Sequence, residues 1–274
     1  ALLLADEPTQ VFGGAFTSNR VQGAPVRIAR ERMSRDTMQA VLVNNKIANV
    51  CAPTGRADAF ELTAELSHRL AVNEADCLSA STGIIGWSLP VAEMKTAVAD
   101  LAAGLHDGPA ADVARAIMTT DSFPKVRDAE VGAGRIVGIA KGAGMVEPNL
   151  GTMLVFILTD VTISREELRR ALSEAVERSF NTISIDGDQS TSDMVLALSS
   201  GRTSPVEREE FRAGLERVCR DLAADIVRNG EGAGHVMRVS VEGAPSTADA
   251  RAVGKAVVNS PLVKTAIYGN DPNV

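Results

Sequence analysis

Aromatic residues are scarce in this chain: one Trp, one Tyr and seven Phe, or 3% of 274 residues. Hydrophobic residues nevertheless make up 45%, so the core must be built from Ala, Val, Leu and Ile. Cysteine is equally thin. Cys51, Cys77 and Cys219 are odd in number, far apart and without a C-x-x-C pair. Neither a disulfide framework nor a zinc site is indicated, and a reducing cytoplasm fits. The histidines His68, His106 and His235 stand alone, so no metal is expected. Basic residues do not dominate: 28 Lys and Arg face 35 Asp and Glu, a net charge of -7. A nucleic-acid partner, which needs a basic face, is not expected. Long apolar runs are missing too. Residues 153–158 are far too few to span a bilayer, so no membrane partner is expected. The opening Ala1-Leu2-Leu3-Leu4-Ala5 lacks the basic flank of a signal peptide and reads as a strand entered midway.

What is present alternates between helical and extended patterns, over a length that suggests about two structural halves. Strands are expected near residues 13–19, 25–29, 38–43, 78–81, 84–86, 135–140, 153–158, 182–185, 194–198, 236–241 and 264–268. Helices are expected where Ala59, Leu62, Leu66 and Leu70 recur at helical spacing, after Pro90, and over 111–118. Three more follow Thr152. Ser164 with Glu167, and Ser204 with Glu207, read as capping boxes, and Ser246 with Asp249 opens a third helix. The boundary between the halves falls at Gly151/Thr152, dividing the chain into 1–151 and 152–274.

The stretch Lys141-Gly142-Ala143-Gly144-Met145-Val146-Glu147-Pro148-Asn149-Leu150-Gly151-Thr152-Met153-Leu154 organises the rest. One reading is a Gly/Pro loop entering a buried strand. The other is chemical. A threonine hydroxyl is a poor nucleophile without a base beside it, and cutting the chain before Thr152 would free an α-amine to serve as that base. Competing chemistries find no support. Gly132, Gly134 and Gly138 are out of register for a dinucleotide fingerprint, no P-loop is present, and no G-x-S-x-G elbow exists.

The same stretch resembles the self-cleavage motif of the ornithine acetyltransferases (glutamate N-acetyltransferases), which are self-processing N-terminal-nucleophile enzymes. Other segments resemble the family in the same order: Ser81-Thr82-Gly83-Ile84-Ile85-Gly86, Ala116-Ile117-Met118-Thr119-Thr120-Asp121, residues 181–193, Gly230-Glu231-Gly232-Ala233, and residues 257–266. The resemblance covers nearly the whole chain. It implies an α+β fold, an αββα-type sandwich whose two halves share a core. It implies self-cleavage between Gly151 and Thr152, giving an α chain and a β chain that stay together, as α2β2. Thr152 would be the nucleophile, with the Thr82 side chain and the Gly83 N–H as oxyanion hole. Thr120, Lys141 and Glu231 would contact substrate, Lys141 meeting a carboxylate and Glu231 an amine. Thr119 competes with Thr120 for that role. The implied reaction is acetyl transfer from N2-acetylornithine to glutamate in arginine biosynthesis, with no cofactor and with acetyl-CoA as a second acetyl donor in bifunctional members. A self-processing amide hydrolase and an unprocessed N-acyl amino acid binding protein remain alternatives. The chain departs from the pattern at Gly151, usually Ala, and over Asn44-Asn45-Lys46-Ile47-Ala48-Asn49. It also stops at Asp271-Pro272-Asn273-Val274, which implies a chain short of the family's C-terminal residues.

Overall fold

The computed structural model describes residues 1–147 and 153–272. The expected cut site, Gly151–Thr152, lies outside the described residues. In chain order the elements are β1 (Leu2–Thr9), β2 (Val11–Phe16), α1 (Ala24–Arg32), β3 (Met38–Asn44), α2 (Gly55–Leu70), β4 (Cys77–Ser81), α3 (Val91–Ala103) and α4 (Ala110–Ala116). Then follow β5 (Lys125–Val131), β6 (Gly134–Lys141), β7 (Leu154–Thr159), α5 (Arg165–Arg178), β8 (Met194–Ser199), α6 (Arg208–Arg228), α7 (Thr247–Val258) and α8 (Pro261–Gly269).

Two sheets result. One is three-stranded, in the order β1-β3-β4, and the other five-stranded, in the order β2-β8-β7-β6-β5. In the larger sheet β7 and β8 run parallel while β2, β6 and β5 pair antiparallel. Both central strands are apolar along their length because both of their faces are covered. Side chains alternate between those faces. Val155, Ile157, Val195 and Ala197 pack against Leu168 and Leu172 of α5 and Leu215, Val218 and Leu222 of α6. Leu154, Phe156, Met194 and Leu196 point the other way, onto Val41, Val43, Leu78 and Ala80 of the smaller sheet. The outer face of the smaller sheet, through Ala40 and Leu42, meets Leu62 and Leu66 of α2 and Val98 of α3. The layers are therefore helix, sheet, sheet, helix: the αββα sandwich. Gly138 in β6 permits the close approach of α6, since a Cβ there would lie 2.6 Å from Val218 Cγ1.

Several local expectations change. Residues 25–29 lie in α1, not a strand: Pro25 sits in the first helical turn, where its fixed φ suits a helix. Residues 264–268 lie in α8, not a strand. Ser260 caps it by accepting from the Val263 N–H, with Pro261 in the first turn. Residues 182–185 form the end of a short 3-10 turn and a bend, 84–86 contribute only a single bridge between Ile47 and Ile84, and 236–241 form no regular element. Ser164 does cap α5, and Ser246 caps α7. Ser204 caps nothing: α6 begins at Arg208 after an uncapped Glu207, because Pro205 is engaged in a bridge to Thr162. The strand β5 lies outside the expected strands. It is an edge strand whose alternation is masked by charged residues.

Phe156 is fully buried between the sheets. Phe156→Ala should lower the unfolding free energy by about 3–5 kcal/mol, measured by urea denaturation. A loss below about 1 kcal/mol would count against a packed interface there.

Candidate active site

The chain leaves β4 at Ser81 and turns at Thr82-Gly83. Gly83 has φ +129, and a Cβ on it would lie 2.1 Å from the Lys46 carbonyl carbon, so only glycine fits. The approach is enforced on both sides. The Thr82 N–H donates to Asn44 O at 3.1 Å and the Ile84 N–H to Lys46 O at 2.8 Å. The turn is thus pinned to the end of β3, and the Thr82 side chain is buried.

Lys141 ends β6, opposite Leu154 of β7. Its side chain is buried, and Nζ donates to Thr82 Oγ1 at 3.0 Å. An ammonium has donors only, so the Thr82 oxygen is the acceptor and its own O–H proton points elsewhere. Burial pushes the Lys141 ammonium below the ordinary lysine pKa, against the opposing pull of Asp121, Asp193 and Glu231.

Asp121 is the hub beside it. Its Oδ1 accepts from Lys125 Nζ at 2.6 Å and from the Gly142 N–H at 2.7 Å, and its Oδ2 accepts from the Thr119 N–H at 3.0 Å. Lys125 also donates to Asn229 Oδ1 at 3.0 Å. The Asp121 and Lys125 side chains are wholly buried. Burial raises the Asp121 carboxyl, but the Lys125 ammonium and the two N–H groups outweigh it and hold the pKa below its ordinary value.

At the exposed end, Thr120 Oγ1 donates to Glu231 Oε1 at 2.5 Å, while the Glu231 N–H donates to Ala143 O at 2.8 Å. The structure therefore separates Thr119 from Thr120. The backbone of Thr119 serves Asp121, and the side chain of Thr120 reaches Glu231. Thr82, Lys141, Thr120 and Glu231, from four distant segments, join in one web with Gly83 at its edge. Gly151 and Thr152 lie outside the described residues.

Asp121 and Asp193 stood inside motifs already singled out, but their burial could not be read there. Lys125 carried no local signal at all, and Asn229 none beyond that of an ordinary helix stop. A cavity of about 1180 Å³ opens between α6, α7 and α8, and of the expected site residues only Glu231 lines it. Among the described residues no group of three or more His, Cys, Asp or Glu is arranged to hold a metal ion, and no helix is long and apolar enough to cross a membrane.

The sequence model of the ArgJ family matches residues 1–274. The chain belongs to the ArgJ family. It is 42% identical over 285 residues to the arginine biosynthesis bifunctional protein ArgJ of Geobacter sulfurreducens, spanning 100% of this chain and 72% of that protein. It is 43% identical over 283 residues to its namesake in Nitratidesulfovibrio vulgaris, again spanning 100% and 72%. Among solved structures, ornithine acetyltransferase from Mycobacterium tuberculosis, complexed with ornithine, is 30% identical with a TM-score of 0.48, over 54% of this chain and 81% of that one.

Removing Asp121 from this ArgJ-family site should leave Lys125 buried and unpaired. Asp121→Ala should cost about 3–5 kcal/mol, and Asp121→Ala/Lys125→Met should recover much of it, as read from unfolding curves of the three proteins. Because the folded carboxyl pKa is depressed, its contribution is present above an unfolded value of about 3.9 and is lost as pH falls through the folded value. The deficit of the single variant should shrink accordingly in acid.

Proposed function

We propose that the chain transfers acetyl from N2-acetylornithine to glutamate through an acetyl-Thr152 intermediate, after cutting itself between Gly151 and Thr152. The observation that carries this reading is the Lys141–Thr82 hydrogen bond. It occupies the Thr82 oxygen and leaves its O–H free to donate to an oxyanion. It also sets a positive charge within one hydrogen bond of that donor. An acetylated α-amino acid carries its amide and its carboxylate on the same carbon, so a carboxylate on Lys141 brings the acetyl carbonyl near Thr82. Glu231, at the wet end of the web, suits the side-chain amine of ornithine.

In the cut, Thr152 Oγ attacks the Gly151 carbonyl carbon. The C–O bond forms, the C–N bond to Thr152 breaks, and the hydroxyl proton passes to the departing nitrogen. Water then splits the ester, leaving a Gly151 carboxylate and a free Thr152. The new α-amine, with an ordinary pKa of about 7.7–8.0, takes the Thr152 hydroxyl proton during attack on the acetyl group. Ornithine leaves with a proton on its amine, and the glutamate amine then takes the acetyl group from Oγ. The two chains should stay joined, since β6 and β7 pair from Ile136↔Thr159 to Lys141↔Leu154.

Denaturing electrophoresis of the purified protein should show two bands, of 1–151 and 152–274, and Thr152→Ala should abolish both cleavage and transfer. A single intact band from active protein would overturn the reading. Glu231 should also discriminate between the substrates, because glutamate presents a side chain of the opposite charge. Glu231→Gln should raise KM for acetylornithine by about 10- to 100-fold, the worth of a hydrogen bond to a charged group, and leave KM for glutamate no worse. Steady-state kinetics with each substrate varied in turn checks this.

A further inference from the structure

Residues 183–193 supply no reacting group to the chemistry above, yet they grip the chain on both sides of the proposed cut. Upstream, Asp186 Oδ2 accepts from the Met145 N–H at 2.5 Å and Oδ1 from the Val146 N–H at 2.9 Å. The Ile185 N–H donates to Val146 O at 2.8 Å. Met145 is held at φ +55, a left-handed conformation that an ordinary side chain rarely adopts unless its surroundings impose it. Downstream, Asp193 Oδ1 accepts from the Met153 N–H at 2.9 Å, and the Met194 N–H donates to Met153 O at 3.2 Å.

The gripping segment is itself tied down. Thr17 donates its N–H to Asp193 O and its hydroxyl to Ser190 O. Lys255 donates to Ile183 O and Lys264 to Ile185 O. Asn259 links Ser184 to Glu147, accepting from the first and donating to the second. The last residues described before the junction and the first one after it are therefore fastened to one braced piece of backbone.

We infer that residues 183–193 act as a jig for self-cleavage, with Asp186 holding Met145 and Val146, Asp193 holding Met153, and both serving as positioning residues for the Gly151–Thr152 bond. The inference rests on the cleavage proposed above and adds no reactant to it. An acyl shift within a peptide needs the hydroxyl and carbonyl in near-attack geometry. Fixing both flanks of a short span removes freedom that the chain would otherwise lose only at the moment of reaction. The two carboxyl groups work differently. Asp186 is exposed and uses both oxygens on N–H donors. Asp193 is fully buried, and among the described residues its Oδ1 accepts from the Met153 N–H while its Oδ2 has no hydrogen-bond partner. Burial raises the Asp193 pKa well above the ordinary value, against the Met153 N–H, Ser190, Lys141 and Thr17. An asparagine amide keeps an oxygen acceptor for the Met153 N–H in the same place.

The test follows nascent full-length chain from cell-free translation by time-resolved denaturing electrophoresis. Asp193→Asn should cleave within about threefold of wild type, because it keeps the acceptor for Met153. Asp193→Leu, of similar size but without an acceptor, should be at least about tenfold slower. Asp186→Asn, which turns one acceptor into a donor facing an N–H, should also be at least about tenfold slower. Once fully cleaved, Asp186→Asn should transfer acetyl within about threefold of wild type per mole of cleaved chain. The same substitutions in a Thr152→Ala background, which stays uncut, should leave the unfolding temperature within a few degrees of Thr152→Ala alone. Wild-type cleavage rates in Asp186→Asn and Asp193→Leu would overturn the jig. So would slowed cleavage that tracks a large fall in unfolding temperature, which would mark a folding role instead. Failure of the wild-type chain to cleave, or cleavage by Thr152→Ala, would overturn the parent reading and the jig with it.

Discussion

The ladder between β6 and β7 is the constraint from which the site follows. Its register sets Lys141 opposite Leu154, so a lysine from the first half of the chain lies beside the strand that starts just after Thr152. That position is buried, and an ammonium without partners there would be costly. The Thr82 hydroxyl is the partner. Thr82 can reach only because the chain turns at Gly83, against the backbone of Lys46. The Gly142 N–H next along the chain must be satisfied as well, and Asp121 supplies its acceptor. Asp121 in turn requires Lys125, which requires Asn229. One register choice thus calls in the ends of β3, β4, α4 and α6.

Much of the fold was legible in the sequence because burial and local pattern agree along it. The helical spacing of Ala59, Leu62, Leu66 and Leu70, the caps at Ser164 and Ser246, and the apolar strands β7 and β8 are signals that do not depend on distant residues. The misreadings fall where local preference is weak or a distant contact decides. Residues 264–268 are rich in β-favouring types, but Ser260 and Pro261 just upstream cap a helix and prevail. Val26 and Ile28 look strand-like, but Pro25 starts a helix that packs against the sheet. Ser204 and Glu207 have the spacing of a capping box, but a bridge through Pro205 forms instead.

The site was half legible for a related reason. Thr82, Gly83, Thr120, Lys141 and Glu231 sit in segments whose resemblance to the ornithine acetyltransferases can be seen residue by residue. Their mutual contacts cannot, because Thr120 and Glu231 are 111 positions apart and Thr82 and Lys141 are 59. The supporting shell was hidden more deeply. Lys125 follows Asp121 in an ordinary loop-to-strand passage, and only burial of both reveals the pair. Asp186 and Asp193 look like turn and strand-entry residues until the donors they accept from are known.

The strand order β2-β8-β7-β6-β5 has one more consequence. The two central strands come from residues after 152, and the strands flanking them on both sides come from residues before 151. A chain cut at the junction would be a two-piece protein in which one piece clasps the other from left and right. Neither piece can be withdrawn without opening both edges of the sheet at once. Folding would then have to come before cutting, and the partners in each finished molecule would be the two parts of a single translation product. In a cell making two alleles, no clasped pair would be a hybrid of the two.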